Sequence, residues 1–281
     1  MKIIKSRFTV FLLILSGFFT IGIVMAYPEL TNNDECAITN TAIQGGEQIV
    51  YKAYYNWKFV WIPAGEAVFN IKETENTFEI TITGKTYKTY DSFFRVRDYF
   101  HSVIDKKTMY PRRFVRIVEE GNYRKFDSIE FVQHQRYAIS FNGKSRSTTA
   151  KKYISLDNCT HDLISVLYFM RNTEISKYQV GDRIPTRMLF DEKIYPISVE
   201  YNKKINNYVI KDLGKFYVVK VIPDLIAGNV FKEGSLMHIY VSNDNNKLPL
   251  LIESPLAVGS AKAVLKSYSG LRYTLHNKSK G

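Results

Sequence analysis

The chain has no Cys-x-x-Cys and no His-Glu-x-x-His, and its five histidines, His101, His134, His161, His238 and His276, are scattered. The ligand spacings of a zinc site are therefore missing, and neither a metal nor a cofactor is expected. There is no Gly-x-Ser-x-Gly elbow, no Ser-x-x-Lys and no glycine loop to cradle phosphate, which removes the common nucleophile and nucleotide-binding classes. Acidic residues number 27 against 39 basic ones, yet the positive charge forms no stripe. Its densest stretches, Arg112, Arg113 and Arg116 and residues 144–152, read as a solvated strand face or loop, and nucleic acid is not expected as a partner. Asn243, Asp244, Asn245 and Asn246 gather oxygen ligands. They lack the central glycine and distant glutamate of a calcium loop, and Lys247 opposes a cation, so a hairpin turn explains them better. No sequence repeat links the two halves.

What is present begins with export. Lys2, Lys5 and Arg7 precede an apolar run over 8–25 and small or tolerated residues up to Ala26, the pattern of a cleaved secretory signal peptide over 1–26. The competing reading is an uncleaved anchor, but Ser16, Gly17, Thr20 and Gly22 interrupt the run and no stop-transfer flank follows. Cleavage removes three of the basic residues and no acid, so +12 becomes +9. A soluble protein in the periplasm, or otherwise outside the cytoplasm, is expected. Cys36 and Cys159 are an even pair in an exported chain and permit one disulfide, against the alternative of two free thiols. Roughly 255 mature residues suffice for a sizeable core, in one large β unit or two smaller ones.

Residues 45–71 carry the strongest pattern. Strand side chains alternate between faces, so Ile49, Tyr51, Ala53, Tyr55, Trp57, Phe59 and Trp61 would share an almost wholly apolar side. A run this long either curls strongly or turns near Asn56, and Pro63 with Gly65 marks a bulge or hairpin. Residues 78–83 alternate cleanly. In 93–104 Arg95 and Arg97 face one way while Val96, Asp98 and Phe100 face the other. A buried Asp98 needs a partner, and Arg113 or Arg116 on a neighbouring strand would serve. Further strands fit 113–118, 123–131 and 137–141, with Asn142-Gly143 as the strongest hairpin signal.

Residues 162–172 form the one convincing helix. Leu163, Val166, Leu167 and Met170 fall at helical spacing, Thr160 or Asn158 is placed to cap it, and Asp162 and Arg171 suit its dipole. Apolar over most of its girth, it must be covered nearly all round, as a plug or lid of a sheet. His161, just before it, reads as a capping or solvent-facing residue. A second strand series follows from 183 to 268, including separate strands at 193–201 and 208–212, with short connections that favour antiparallel neighbours. The polar residues 27–46 read as an arm held by Cys36, 47–275 as a β-rich domain, and 276–281 as a tail. The fold expected is mainly β, a large curved antiparallel sheet or open barrel with one covering helix, with two successive β units as the alternative.

Candidate site residues are few. Tyr55, Trp57 and Trp61 are the candidates for ligand contact, although aromatic residues also favour strands in general. Glu66, beside Ala64 and Gly65 in apolar surroundings, would have a raised pKa and act as an acid. Glu66 and Asp98 are the weak catalytic candidates, and glycosidase chemistry would need two carboxylates about 5–10 Å apart.

The segments GEQIVYKAYYNW, VWIPAGEAVF, KTYKTYDSFFRVRDYFHSVID, YPRRF, EEGNYRKF, DLISVLYFMRN, GDRIP and NDNNKLPLLIESPLAVGSAKAVL together resemble the exported domain-of-unknown-function 3108 family of Gram-negative bacteria, over nearly the whole mature chain. The resemblance implies a secreted or periplasmic β-rich protein and brings no established reaction. The Tyr-rich strand, Gly-Glu break and returning strand are also similar to open half-barrels that carry lipoproteins or lipids, an analogy of fold. Three functions follow as expectations. The first is non-catalytic binding of an amphipathic or lipidic ligand in an aromatic concavity, the second an enzyme or accessory factor acting on envelope glycan, and the third an interaction module for an envelope protein.

Overall fold

Residues 38–57, 60–92, 94–224, 235–256 and 259–276 are described by the structure, a computed structural model. The expected signal segment, Cys36 and the residues after His276 lie outside them. No helix among the described residues is long and apolar enough to cross a membrane.

The alternation read from the sequence holds where it was strongest. Glu47, Ile49, Tyr51, Ala53 and Tyr55 are all buried, and the residues between them are not. They form β1 (Gln48–Trp57), which turns after Trp57 and returns as β2 (Val60–Glu73), with Trp57 opposite Val60. The Pro63 break is a bulge. Ala53 faces Gly65 and Tyr54 faces Pro63, leaving Ala64 as the extra residue, and a Cβ on Gly65 would stand 2.2 Å from the Lys85 carbonyl oxygen. Glycine is what lets the next strand approach there.

From β2 the chain meanders through β3 (Thr77–Thr86), a short helix α1 (Lys88–Asp91), β4 (Arg97–Asp105), β5 (Pro111–Glu120), β6 (Tyr123–Val132), β7 (Tyr137–Gly143) and β8 (Ala150–Ser155), each antiparallel to the last. Asn142-Gly143 does not make the expected two-residue hairpin. Both residues pair with β6, and a six-residue connection with a Ser145–Thr148 capping box leads into β8. After β9 (Thr160–His161) and the helix α2 (Ser165–Asn172) come β10 (Arg183–Phe190), β11 (Lys193–Ile210), β12 (Gly214–Pro223), β13 (His238–Ser242), β14 (Pro249–Pro255) and β15 (Ser260–Ser269). The expected break at Asn206-Asn207 is a bulge rather than a turn. Residues 193–210 run as one strand bent by irregular register at 201–203 and 205–208.

All fifteen strands belong to one sheet. β15 pairs back on β1, so the order runs from β8 down to β1 and then from β15 down to β9. The two edges, β8 and β9, do not pair, and the sheet is open, yet residues 156–159 alone connect them. Laid flat, fifteen strands would span about 67 Å at ~4.8 Å each, whereas five peptide steps reach no more than roughly 18 Å. The sheet must roll until its edges face one another.

Side chains bridge the seam that the backbone leaves open. The β10–β11 turn, Asp191 and Glu192, reaches the inner face of the N-terminal strands. Asp191 pairs with Arg116 on β5 and, at 3.3 Å, with Lys125 on β6, and Glu192 accepts from Ser140 and Lys152, each at 3.4 Å. Arg116 also pairs with Asp127 at 3.2 Å and lies 4.4 Å over the Phe190 ring. Gln133 donates to the Thr160 carbonyl on β9 at 2.9 Å.

The rolled sheet encloses α2, shorter at its start than the expected 162–172. The residue that caps it is Asp162 rather than Thr160 or Asn158. One Asp162 oxygen accepts the N–H of Ile164 at 2.6 Å and of Ser165 at 2.8 Å, and the other accepts the Ser102 hydroxyl at 2.6 Å. His161 is neither capping nor solvent-facing. It is fully buried against Phe169 and Tyr110, and burial pushes its pKa down to about 3, so it is neutral. At the other end, Asn172 accepts the N–H of Thr41 at 2.6 Å and of Ala42 at 2.9 Å, which fastens residues 38–46 to the helix.

Arg116 is the sole cation fully buried in the seam cluster among the described residues, facing two carboxylates. Arg116→Met should lower stability by about 3–5 kcal/mol, because it strands buried acids without their counter-charge. Urea unfolding at pH 7 checks this, and a midpoint shift within error of wild type would show that the seam does not depend on the pair.

Candidate functional site

The inner surface divides in two. Under the N-terminal strands it is filled, with Ile80, Ile82, Phe100, Phe114 and Ile129 almost wholly buried in one cluster. Between α2 and the strands β10–β15, with β1 and β2, it is not filled. A cavity of about 310 Å³ remains there, at the small end of the range for ligand pockets. Its walls are aliphatic and aromatic: Val166, Leu167 and Met170 of α2 face Met188, Val199, Val221, Ile239 and Ile252, and Ile49, Tyr51, Ala67, Phe69 and Ala263 close another side.

Polar groups gather at particular points of this lining. Arg171, on α2, holds buried Glu47 through both carboxylate oxygens, at 2.5 and 2.9 Å, and donates to the Asn246 carbonyl at 3.1 Å. Burial works against its charge, but Glu47 more than offsets this and raises its pKa. The Tyr51 hydroxyl donates to the Pro249 carbonyl at 2.8 Å, while the buried Tyr168 hydroxyl has no hydrogen-bond partner. Burial raises the pKa of both phenols, so they stay protonated. Asp224 is bound by Arg183 and by the Ser198 N–H and hydroxyl, both at 2.8 Å. Lys247 is half-buried, and burial lowers its pKa.

Two of the sequence-predicted ligand residues, Tyr55 and Trp61, sit elsewhere. Tyr55 is buried on the inner face with Ile49 and Tyr51 but does not reach the cavity. Trp57 is the last residue of β1. Trp61 does not share a face with Tyr55. The pairing of Trp57 with Val60 sets Trp61 opposite Asn56, so it lies on the outer side with Tyr54, under the Lys262 ammonium at 4.1 Å from its ring.

Glu66 and Asp98 fall on opposite faces. Glu66 pairs across the sheet with Lys85, and Lys85 with Arg97, which places all three outside. Asp98, the next residue, points inward. The two cannot form a carboxylate pair about a substrate. Glu66 also lacks the expected apolar setting. Lys266, at 2.6 Å, and the Tyr87 hydroxyl, at 3.0 Å, bind it and lower its pKa, which keeps it a carboxylate rather than an acid.

Asp98 is buried as expected, but its partner is not the expected arginine. Arg113 is exposed and Arg116 is engaged by Asp127 and Asp191. Asp98 Oδ1 accepts the Glu119 N–H at 3.0 Å, and its neighbour is the carboxyl of Glu120. Burial raises the pKa of both acids; Asp98 raises that of Glu120 further, while the hydrogen bond from Glu120 lowers that of Asp98, so the proton the pair holds sits on Glu120. Neither lines the cavity.

Comparison with known proteins places the chain by sequence and by fold. Residues 50–266 match the family described as protein of unknown function (DUF3108). The chain belongs to the DUF3108 family. No curated protein matches it. Its fold is similar to that of a beta-barrel-like protein of the DUF1849 domain of unknown function from Brucella abortus, at a TM-score of 0.54 and 7% identity, over 81% of this chain and 98% of that one. The hypothetical protein CT021 from Chlamydia trachomatis is aligned over 85% of this chain and 93% of its own, at a TM-score of 0.36 and 8% identity.

In this DUF3108 chain the sequence reading missed Arg171 and Lys247 as cavity residues. One signal was present: Glu47 occupies an inward position of the alternating run, and a lone acid in an apolar stripe calls for a buried cation. Arg171, at the end of an apolar helix, is that cation.

The carboxyl pair supplies a test. A folded-state pKa raised above the unfolded value gives stability that is full at low pH and lost as pH rises. For Asp98 this loss starts at about pH 4, the ordinary aspartate value. Asp98→Asn should therefore gain stability relative to wild type as pH increases from 4 to 8, read as the difference between urea-unfolding free energies across that range. A constant difference would show that Asp98 is ionised and paired throughout.

Proposed function

We propose that the chain is an exported, non-catalytic binding protein that holds an amphipathic ligand in the cavity beneath α2. The observation that carries this reading is the cavity itself: an apolar hollow against a helix fastened at both ends, in an interior otherwise packed. Ligand pockets are concave, mostly apolar and furnished with a few polar groups, and the lining has that composition. The helix, with Asp162 bound to Ser102 and Arg171 to Glu47, keeps the hollow from collapsing. Tyr55 and Trp61 have no part in this site.

The test is binding of the neutral fluorescent probe N-phenyl-1-naphthylamine to the mature protein, with lipid extraction and native mass spectrometry of material purified from the periplasm. Wild type should enhance the probe's fluorescence saturably. Ala263→Phe, which puts a ring into the cavity wall, should weaken that binding at least tenfold and keep a cooperative melt. Equal probe binding by the folded variant, or no bound amphiphile and no probe binding in wild type, would reject the cavity as a ligand site.

Export carries its own consequence for the cysteines. No cysteine among the described residues is free, and Cys159 is buried with a left-handed φ of +62°. We propose that its partner is Cys36, which lies outside the described residues. Nonreduced periplasmic protein should take up no alkylating reagent until reductant is added, and should then take up two equivalents. Labelling of both thiols without reductant would contradict the bridge.

A further inference from the structure

The charges that line the cavity do not cancel. Arg171 is neutralised by Glu47, and Asp224 by Arg183. Among the described lining residues that leaves Lys247, whose ammonium makes no ion pair or hydrogen bond. The nearby acids Asp244 and Glu174 favour its charge but lie beyond salt-bridge reach. Asp244 accepts the Ser242 hydroxyl at 2.8 Å and the N–H groups of Asn246, Lys247 and His276 at 3.0–3.3 Å, and Glu174 pairs with Lys177 at 2.8 Å. Arg171, the other charge that acts on Lys247, is a cation and opposes it. A second unsatisfied donor lies in the same lining, the Tyr168 hydroxyl, in a residue 2% exposed.

A half-buried ammonium with no salt-bridge partner is poorly compensated, and an anion brought to it in a low-dielectric site gains a charge-assisted hydrogen bond. The rest of the lining suits only hydrocarbon. We propose that the ligand is a single-chain amphiphile with one anionic end, its tail among Val166, Met188, Val221 and Ile239 and its carboxylate or phosphate on Lys247. This rests on the cavity-binding reading and adds the sign and place of the head group. A cationic amphiphile would meet Lys247 unrelieved and be refused.

Competition against N-phenyl-1-naphthylamine at pH 7.5 with dodecanoate, dodecyl phosphate, dodecanol and dodecyltrimethylammonium, all below micelle formation, tests it. Wild type should bind one or both anions about tenfold or more tighter than dodecanol, and the cation weakest. Lys247→Met should bring the anion-to-alcohol ratio near one, and Lys247→Arg should restore the ratio. If Lys247→Met does not fold, wild type alone suffices. Burial lowers the Lys247 pKa, so the preference should be full at neutral pH and fade as pH rises toward 10, while dodecanol binding stays level. Equal affinity for dodecanol and both anions, or a preference unmoved in Lys247→Met, overturns the head-group assignment and leaves the cavity reading standing. Binding of none of the four, nor of the neutral probe, overturns both.

Discussion

Four residues between the two edges of a fifteen-stranded sheet govern the molecule. Residues 156–159 cannot span a flat sheet, so the strands must roll, and rolling gives the sheet an inside. The same short link delivers the chain into α2 at the seam, which is why the helix lies within the roll rather than on its outer surface. Its buried face is then inevitable, and so is the need to satisfy its ends. Asp162 meets it at the start with a side-chain oxygen that accepts the Ile164 and Ser165 N–H groups, and Asn172 and Thr173 meet it at the end by donating to the Tyr168 and Phe169 carbonyls, as buried helix ends require.

An interior made this way is not uniform. Under β4–β8 the inward stripe contains Asp98, Arg116, Glu120, Asp127 and Ser140 among its large apolar residues, and Arg116 and Ser140 meet the carboxylates of the β10–β11 turn. Under β10–β15 the inward residues are chiefly aliphatic. Charge density in the first half binds the seam, and its absence in the second leaves a hollow that water occupies poorly, since apolar walls give it few partners. Seam-binding charge and open apolar space are thus separated along the sheet. The Asp98 and Glu120 carboxyls belong to the packed half, and burial is the first cause of their raised proton affinity.

The sequence made legible what depends on near neighbours. The alternation from Glu47 to Tyr55, the inward turn of Asp98, the bulge by Pro63 and the apolar helix around Val166 all follow from periods of two or 3.6 residues within one element. What depends on pairing between distant strands was hidden. Carrying one alternation through 49–61 puts Trp61 on the Tyr55 face, whereas the pairing of Trp57 with Val60, a reversal near Asn56, changes the phase of every later residue. Glu66 was read in apolar surroundings because Lys266, its partner, is 200 residues away and becomes a neighbour only when β15 pairs with β1. The cavity was hidden for the same reason. Its walls come from strands adjacent in space but reached in reverse order, and Lys247 enters through a turn whose polar residues suggested solvent.

The β10–β11 turn shows how local preference yields to such distant demands. Asp191 and Glu192 have φ of +46° and +61° between the paired residues Phe190 and Lys193, a two-residue turn of the type that favours Asn-Gly. Left-handed backbone costs non-glycine residues roughly 1–2 kcal/mol each, and Glu is poorly suited to it. An Asn-Gly turn would remove that strain, but it would also remove both carboxylates from the seam. Arg116, 1% exposed, would keep only Asp127, and Lys125 and Lys152 would lose their ion pairs across the opening. A buried cation short of counter-charge costs several kcal/mol, more than the strain relieved. The unfavourable turn is therefore the cheaper arrangement for a sheet that must hold its edges together without a backbone ladder.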